Sequence, residues 1–150
     1  MKILVSACLL GVPCRYDAQS KPCAEVMALG RDNELVPVCP ECLGGLKKPR
    51  PASEIQPGAP LRVMNSEGLD VTAAFEEGAR KTLERAYAQG CDFAIMKAKS
   101  PSCGSGRIYD GSFTGTLSDG DGVAVRVLRE AGIEVKDEHS AFAPGSFLNR

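Results

Sequence analysis

Four short apolar runs, separated by stretches with helical spacing, constrain this chain more than any other feature. The runs are KILVS (2–6), ELVPV (34–38), CDFAIMKA (91–98) and IEV (133–135). Residues 22–31 carry Val26, Met27 and Leu29 at loosely helical spacing. Residues 72–89 make the clearest helix. Asp70 or Thr72 caps it, Glu76 and Glu77 suit its first turns, Gly90 ends it, and Phe75, Ala79, Leu83 and Ala86 lie on its apolar face. Residues 120–132 read as a second long helix. Strands that alternate with helices predict an α/β fold with a parallel sheet, and 150 residues suffice for one domain spanning 1–150. Pro37 inside the second run marks an edge strand or a strand end. The Pro- and Gly-rich stretch 44–60 is a connection, with a possible short strand at 61–64, and Asp110-Gly111 has the chemistry of a hairpin turn. Phe142 and Phe147 predict that the last fourteen residues pack back on the body.

Charge excludes several functions. Lysine plus arginine number 18 against 19 acidic residues, a formal net charge of −1, whereas duplex nucleic acid calls for a clearly basic face. No segment approaches the length of a membrane span. The N-terminal MKILVSACLLG is apolar, but Ser6 and Cys8 interrupt it and no small-residue cleavage pattern follows. It reads as a buried first strand, and the chain as cytoplasmic. Seven cysteines accompany a single histidine, His139. An odd cysteine count in a chain of this length disfavours a secreted disulfide framework, and a lone late histidine reads as a surface residue.

The sheet sorts the cysteines. Ligands of a parallel α/β sheet gather beyond the carboxyl ends of its strands. Cys8 falls two residues after the first strand, Cys39 directly after the second, and Cys103 in the loop after the third, so all three lie on that edge. Cys91 begins its strand at the opposite edge and Cys23 flanks a helix; both read as small buried hydrophobes. Several uses of the clustered thiols are open. Structural zinc usually needs a second pair beside Cys39-Pro40-Glu41-Cys42. A redox dithiol needs a helix N-terminus, and Leu43-Gly44-Gly45 starts a helix poorly. Simple packing fits poorly with three cysteines in Gly- and Pro-rich loops. An iron–sulfur cluster on three thiolates would leave one iron without a protein ligand, the kind of open position a Lewis-acid site requires. Glu41 and Ser100 lie beside the candidate ligands, where a carboxylate and a hydroxyl can handle water; their ordinary alternatives are a solvated glutamate and a turn-capping serine. Gly104-Ser105-Gly106 lacks the Gly-Lys-Ser/Thr of a phosphate loop.

Four segments together, SACLLGVPCRYD (6–17), VCPECLGGLKKPRP (38–51), DVTAAFEEGA (70–79) and KAKSPSCGSGRIYDGSFTGTLSDGDGV (97–123), resemble the TudS-type thiouracil desulfidase family, across most of residues 2–135. The resemblance implies a Rossmann-like, mostly parallel sheet with helices on both faces and a 4Fe–4S cluster on Cys8, Cys39 and Cys103. It implies Glu41 as catalytic acid/base and Ser100 as catalytic serine. The implied reaction is a non-redox hydrolysis of C=S to C=O with release of sulfide, acting on a small thiolated nucleobase such as 2-thiouracil through one open iron. A non-catalytic iron–sulfur, zinc-binding or sulfur-trafficking protein is the alternative. Cys14 belongs to the motif and is expected behind the ligands, Cys42 is expected as an extra thiol near them, and Arg15, Tyr16 and Asp17 are candidate pocket residues, with Tyr16 able to stack on a flat heterocycle. The family pattern commonly has Gly after RYD; here Ala18 follows, which predicts a slightly altered turn.

Overall fold

The computed structural model describes residues 1–150. In chain order its strands are β1 (Lys2–Ser6), β2 (Glu34–Val38), β3 (Ser53–Ile55), β4 (Val63–Asn65), β5 (Phe93–Ile95), β6 (Arg107–Tyr109), β7 (Leu117–Asp119) and β8 (Glu134–Lys136). The helices are α1 (Ala24–Ala28), α2 (Pro40–Leu43), α3 (Thr72–Gln89) and α4 (Val123–Glu130). Four strands form a wholly parallel sheet in the order β2-β1-β5-β8. Leu4 stands opposite Val36 on one neighbour and Ala94 on the other.

Apolar residues on alternate sides of each strand give the sheet two buried faces. Leu4, Val36, Ala94 and Val135 pack with Ala86 of α3 and with Val125 and Leu128 of α4. Ile3, Val5 and Ile95 face the other way, onto Val26 of α1 and the C-terminal Ala141 and Phe147. Phe147 stacks on Phe93 with ring centroids 4.5 Å apart, so the last residues do pack back. The fold is thus α/β and Rossmann-like, with a parallel sheet covered on both faces. Pro37 is exposed on the edge strand β2, where its missing N–H costs no ladder bond.

From β1 the chain moves outward to β2 and then crosses to β5 on the other side of β1. A parallel sheet that reverses direction in this way opens a crevice at the carboxyl ends of the two strands flanking the reversal. Cys8 and Cys103 follow those two strands.

The sequence reading needs correction in three places. The third strand spans only Phe93–Ile95 rather than 91–98. The possible strand at 61–64 is β4, one half of an antiparallel hairpin with β3, whose short and polar SEI run carries no periodic signal. Finally, Leu43-Gly44-Gly45 does not begin a helix; it ends one. Cys39 is the N-cap and Pro40 the first residue of α2, where proline's fixed φ suits the helix start. The hairpin expected at Asp110-Gly111 exists, although the two residues open a longer connection between β6 and β7 rather than forming a two-residue turn.

Candidate active site

Three devices hold the loops beyond the sheet. The first is close helix packing. A Cβ on Gly44 would sit 2.0 Å from the Ala74 carbonyl oxygen, and one on Gly78 would sit 2.0 Å from that of Pro40. These two glycines let α2 lie directly against α3, which fixes Cys39 and Glu41. The second is the start of α4. The amides of Gly122, Val123 and Ala124 donate to the carbonyls of Gly104, Pro101 and Ser102 at 2.8, 2.8 and 3.0 Å. The orphan donors of a helix N-terminus thereby hold the SPSCG loop. The third is Ser100 itself, whose Oγ accepts from the amides of Ser102 (3.1 Å) and Cys103 (2.9 Å).

These devices bring Cys8, Cys14, Cys39, Cys103, Glu41 and Ser100 to the wall of one cavity of about 540 Å³. The three expected ligand cysteines, Glu41 and Ser100 thus share one wall. Cys14 stands nearer than expected: it lines the cavity itself, and its thiol titrates under the influence of those of Cys39 and Cys8. Its carbonyl accepts from the thiols of both Cys39 and Cys42 at 3.7 Å. Cys42 thus lies beside the cluster of thiols, as anticipated, although it does not line the cavity. Cys91 is buried at the far end of β5, and Cys23 packs against the core beside α1. His139 is exposed.

The thiols hold their protons tightly. The neighbouring Cys39 thiol lowers the Cys14 pKa, but the Cys8 thiol and burial outweigh it and push the group up to about 11. The Cys14 thiol and burial raise Cys39. Burial pushes Cys103 up to about 12, against the lowering influence of Ser6 and Ser102. Gathered without a metal, these groups are stable as thiols rather than thiolates, so metal ligation would release protons.

Beside the thiols runs a chain of polar contacts. Arg50 Nε donates to Glu41 Oε1 at 3.0 Å, with both side chains largely buried. Burial works against the Arg50 charge, but the Glu41 carboxylate outweighs it and raises the guanidinium pKa. Arg50 Nη2 also donates to the Cys14 carbonyl at 3.0 Å, linking the carboxylate to the thiol cluster. Ser102 Oγ donates to Glu41 Oε2 at 2.8 Å and lies 3.0 Å from Ser100 Oγ. With its proton directed at Glu41, Ser102 accepts from the Ser100 hydroxyl. Glu41 and Ser100 are thus joined through Ser102 rather than directly. Sequence reasoning missed Arg50 and Ser102. Ser102 lies inside the SPSCG motif, but only the 61-residue contact with Glu41 reveals its use.

Arg15 and Tyr16 line the cavity, whereas Asp17 stands outside it, 3.9 Å from Arg15. Arg15 Nη1 is buried without a hydrogen-bond partner. Ala18 adopts a left-handed φ of 60°, the region that suits glycine.

Comparison with known proteins follows this geometry closely. The model of the 2-thiouracil desulfurase family matches residues 3–140. An uncharacterized protein of Bacillus subtilis (strain 168), YbbK, is 40% identical over 144 residues, covering 91% of this chain and 95% of its own. A solved structure of the 4Fe–4S-dependent thiouracil desulfidase TudS superposes with a TM-score of 0.85 at 48% identity, covering 93% of this chain and 91% of that one.

Proposed function

Because the chain belongs to the 2-thiouracil desulfurase family, we propose that it is an iron–sulfur-dependent desulfidase that hydrolyses C=S to C=O in thiolated pyrimidine bases such as 2-thiouracil, releasing sulfide without net redox change. One observation carries the reading: Cys8, Cys39, Cys103, Glu41 and Ser100 share the wall of a single cavity.

The residues suit the cofactor. Soft thiolates are the usual ligands of iron–sulfur clusters, and here Cys8, Cys39 and Cys103 would hold it. Arg15 lines the cavity beside them, with its Nη1 buried and unpartnered. When bound through three thiolates, a 4Fe–4S cluster supplies one thiophilic, Lewis-acidic iron with no protein ligand.

The protein's own groups then handle the water. Glu41 is anchored by Arg50 on one oxygen and by Ser102 on the other, which orients its remaining lone pairs toward the cavity. A carboxylate held this way takes a proton from water as the water adds to the thiocarbonyl carbon. Ser100, fixed by two backbone amides, orients the substrate or the water when its hydroxyl turns from Ser102 toward the cavity. The atoms balance as thione plus water giving carbonyl compound plus hydrogen sulfide.

Anaerobic reconstitution with iron and sulfide, followed by assay of 2-thiouracil, tests the proposal. Formation of uracil and equimolar sulfide is the expected result. Iron and acid-labile sulfide without turnover would point to a carrier instead, and colourless protein with stoichiometric zinc to a structural metal site.

A further inference from the structure

Three non-glycine residues have left-handed backbones, and two of them, Lys99 (φ 70°) and Phe113 (φ 57°), line the cavity. A bulky side chain is rarely found there, and the conformation persists only where the surroundings over-determine it. Around Phe113 the surroundings can be named. Glu54 on β3 is buried, and its Oε1 accepts from the backbone amides of Gly111 (3.0 Å) and Phe113 (3.1 Å). Gln56 Nε2 donates to the Gly111 carbonyl at 3.1 Å. Asp110 Oδ1 accepts from the Ser112 amide at 2.9 Å. Removing a carboxylate from water is costly unless strong hydrogen bonds replace the lost hydration. In this case the bonds that replace it shape one loop.

The ring that the clamp presents lies outside the cores. Phe113 belongs to none of the three core clusters and remains 39% exposed at the cavity wall. The other exposed aromatic there, Tyr16, is engaged by the Arg15 guanidinium 5.6 Å from its ring centroid. Phe113, held through its backbone, has no aromatic or cationic partner on its ring. A flat heterocycle stacks on such a ring whatever its substituents.

We infer that Phe113 is a substrate-binding residue on whose ring the heterocycle of the substrate stacks, with Glu54 as the positioning residue that holds it there. The inference rests on the desulfidase reading. Phe113→Ala should raise KM for 2-thiouracil roughly tenfold, the scale of one base–aromatic stack, with the loss falling on KM rather than kcat. Phe113→Leu should resemble Phe113→Ala, whereas Phe113→Tyr should recover most of the affinity. Glu54→Ala should move KM in the same direction by a smaller factor. The chain contains no tryptophan, so Phe113→Trp adds a single reporter whose emission 2-thiouracil should quench saturably. An unchanged KM in Phe113→Ala, full recovery by Phe113→Leu, or unquenched Phe113→Trp emission would each overturn the assignment. Failure of the wild-type protein to release sulfide from 2-thiouracil would instead overturn the desulfidase reading, and the emission change would still decide the stacking.

Discussion

The wall of the cavity that carries the thiols and the wall that carries Phe113 are held in different ways. The thiol wall extends from the parallel sheet. Cys8, Cys39 and Cys103 follow strands whose residues form the centre of two cores, and Cys8 and Cys103 are buried. Helices α3 and α4 press on its loops through Gly78 and the N–H groups that start α4. The other wall consists of two hairpins with three-residue strands, β3–β4 and β6–β7, and its loop is exposed. Ile55, Val63 and Ile108 anchor these hairpins in a third core with Phe75 and Ala79 of α3, but the loop that carries Phe113 stands beyond it and is held by hydrogen bonds to Glu54 and Gln56. The difference separates two demands. Ligands and acid/base groups need fixed mutual positions, which rigid elements supply. Substrate contact is carried on a loop that can vary without disturbing the body.

Breaking the thiol wall should have the largest effect. Cys39→Ala, like Cys8→Ala and Cys103→Ala, is expected to reduce iron and acid-labile sulfide to background after anaerobic reconstitution, and turnover with them. Glu41→Gln tests the chemistry without removing a thiol. Iron content should hold while kcat falls by about 10²–10⁴, the usual share of general acid–base catalysis. Ser102→Ala should keep iron as well and lower kcat roughly tenfold, because Glu41 loses a hydrogen bond to a charged group. Normal activity in either variant would remove that residue from the mechanism.

A smaller perturbation reaches the wall from behind. Gly78→Ala places a methyl group against the Pro40 carbonyl and should destabilise the fold by about 1–3 kcal/mol, as overpacking does; a thermal melt measures this. On the periphery, Ala18→Gly should stabilise by up to about 1 kcal/mol, since a left-handed φ strains alanine and not glycine. An unchanged or lower melting temperature in Ala18→Gly would show that the turn carries no such strain.

Much of the thiol wall was legible before any coordinates. Short continuous apolar runs such as KILVS, bounded by loops, imply buried strands, and the rule for carboxyl ends then places Cys8, Cys39 and Cys103 on one edge. Pro37 marked its strand as an edge for the same local reason. The CPEC stretch was misread because the propensity of the residues after it was weighed instead of the proline within it. The hairpins were partly hidden because three-residue strands with polar sequences such as SEI leave too few positions for a period to show.

Local chemistry therefore determined the strands, the long helix, the sheet edge and the motif that identifies the family, since each of these depends on neighbours in sequence or on spacing along one element. Other features depend on which distant segments touch. These include the bond from Ser102 to Glu41 across 61 residues, the hold of Arg50 on that same carboxylate, the entry of Cys14 among the thiols, and the clamp of Glu54 on the Phe113 loop across 59 residues. A hydrogen bond acts over about 3 Å, so residues far apart in the chain acquire their partners only when packing of the whole fold brings them together.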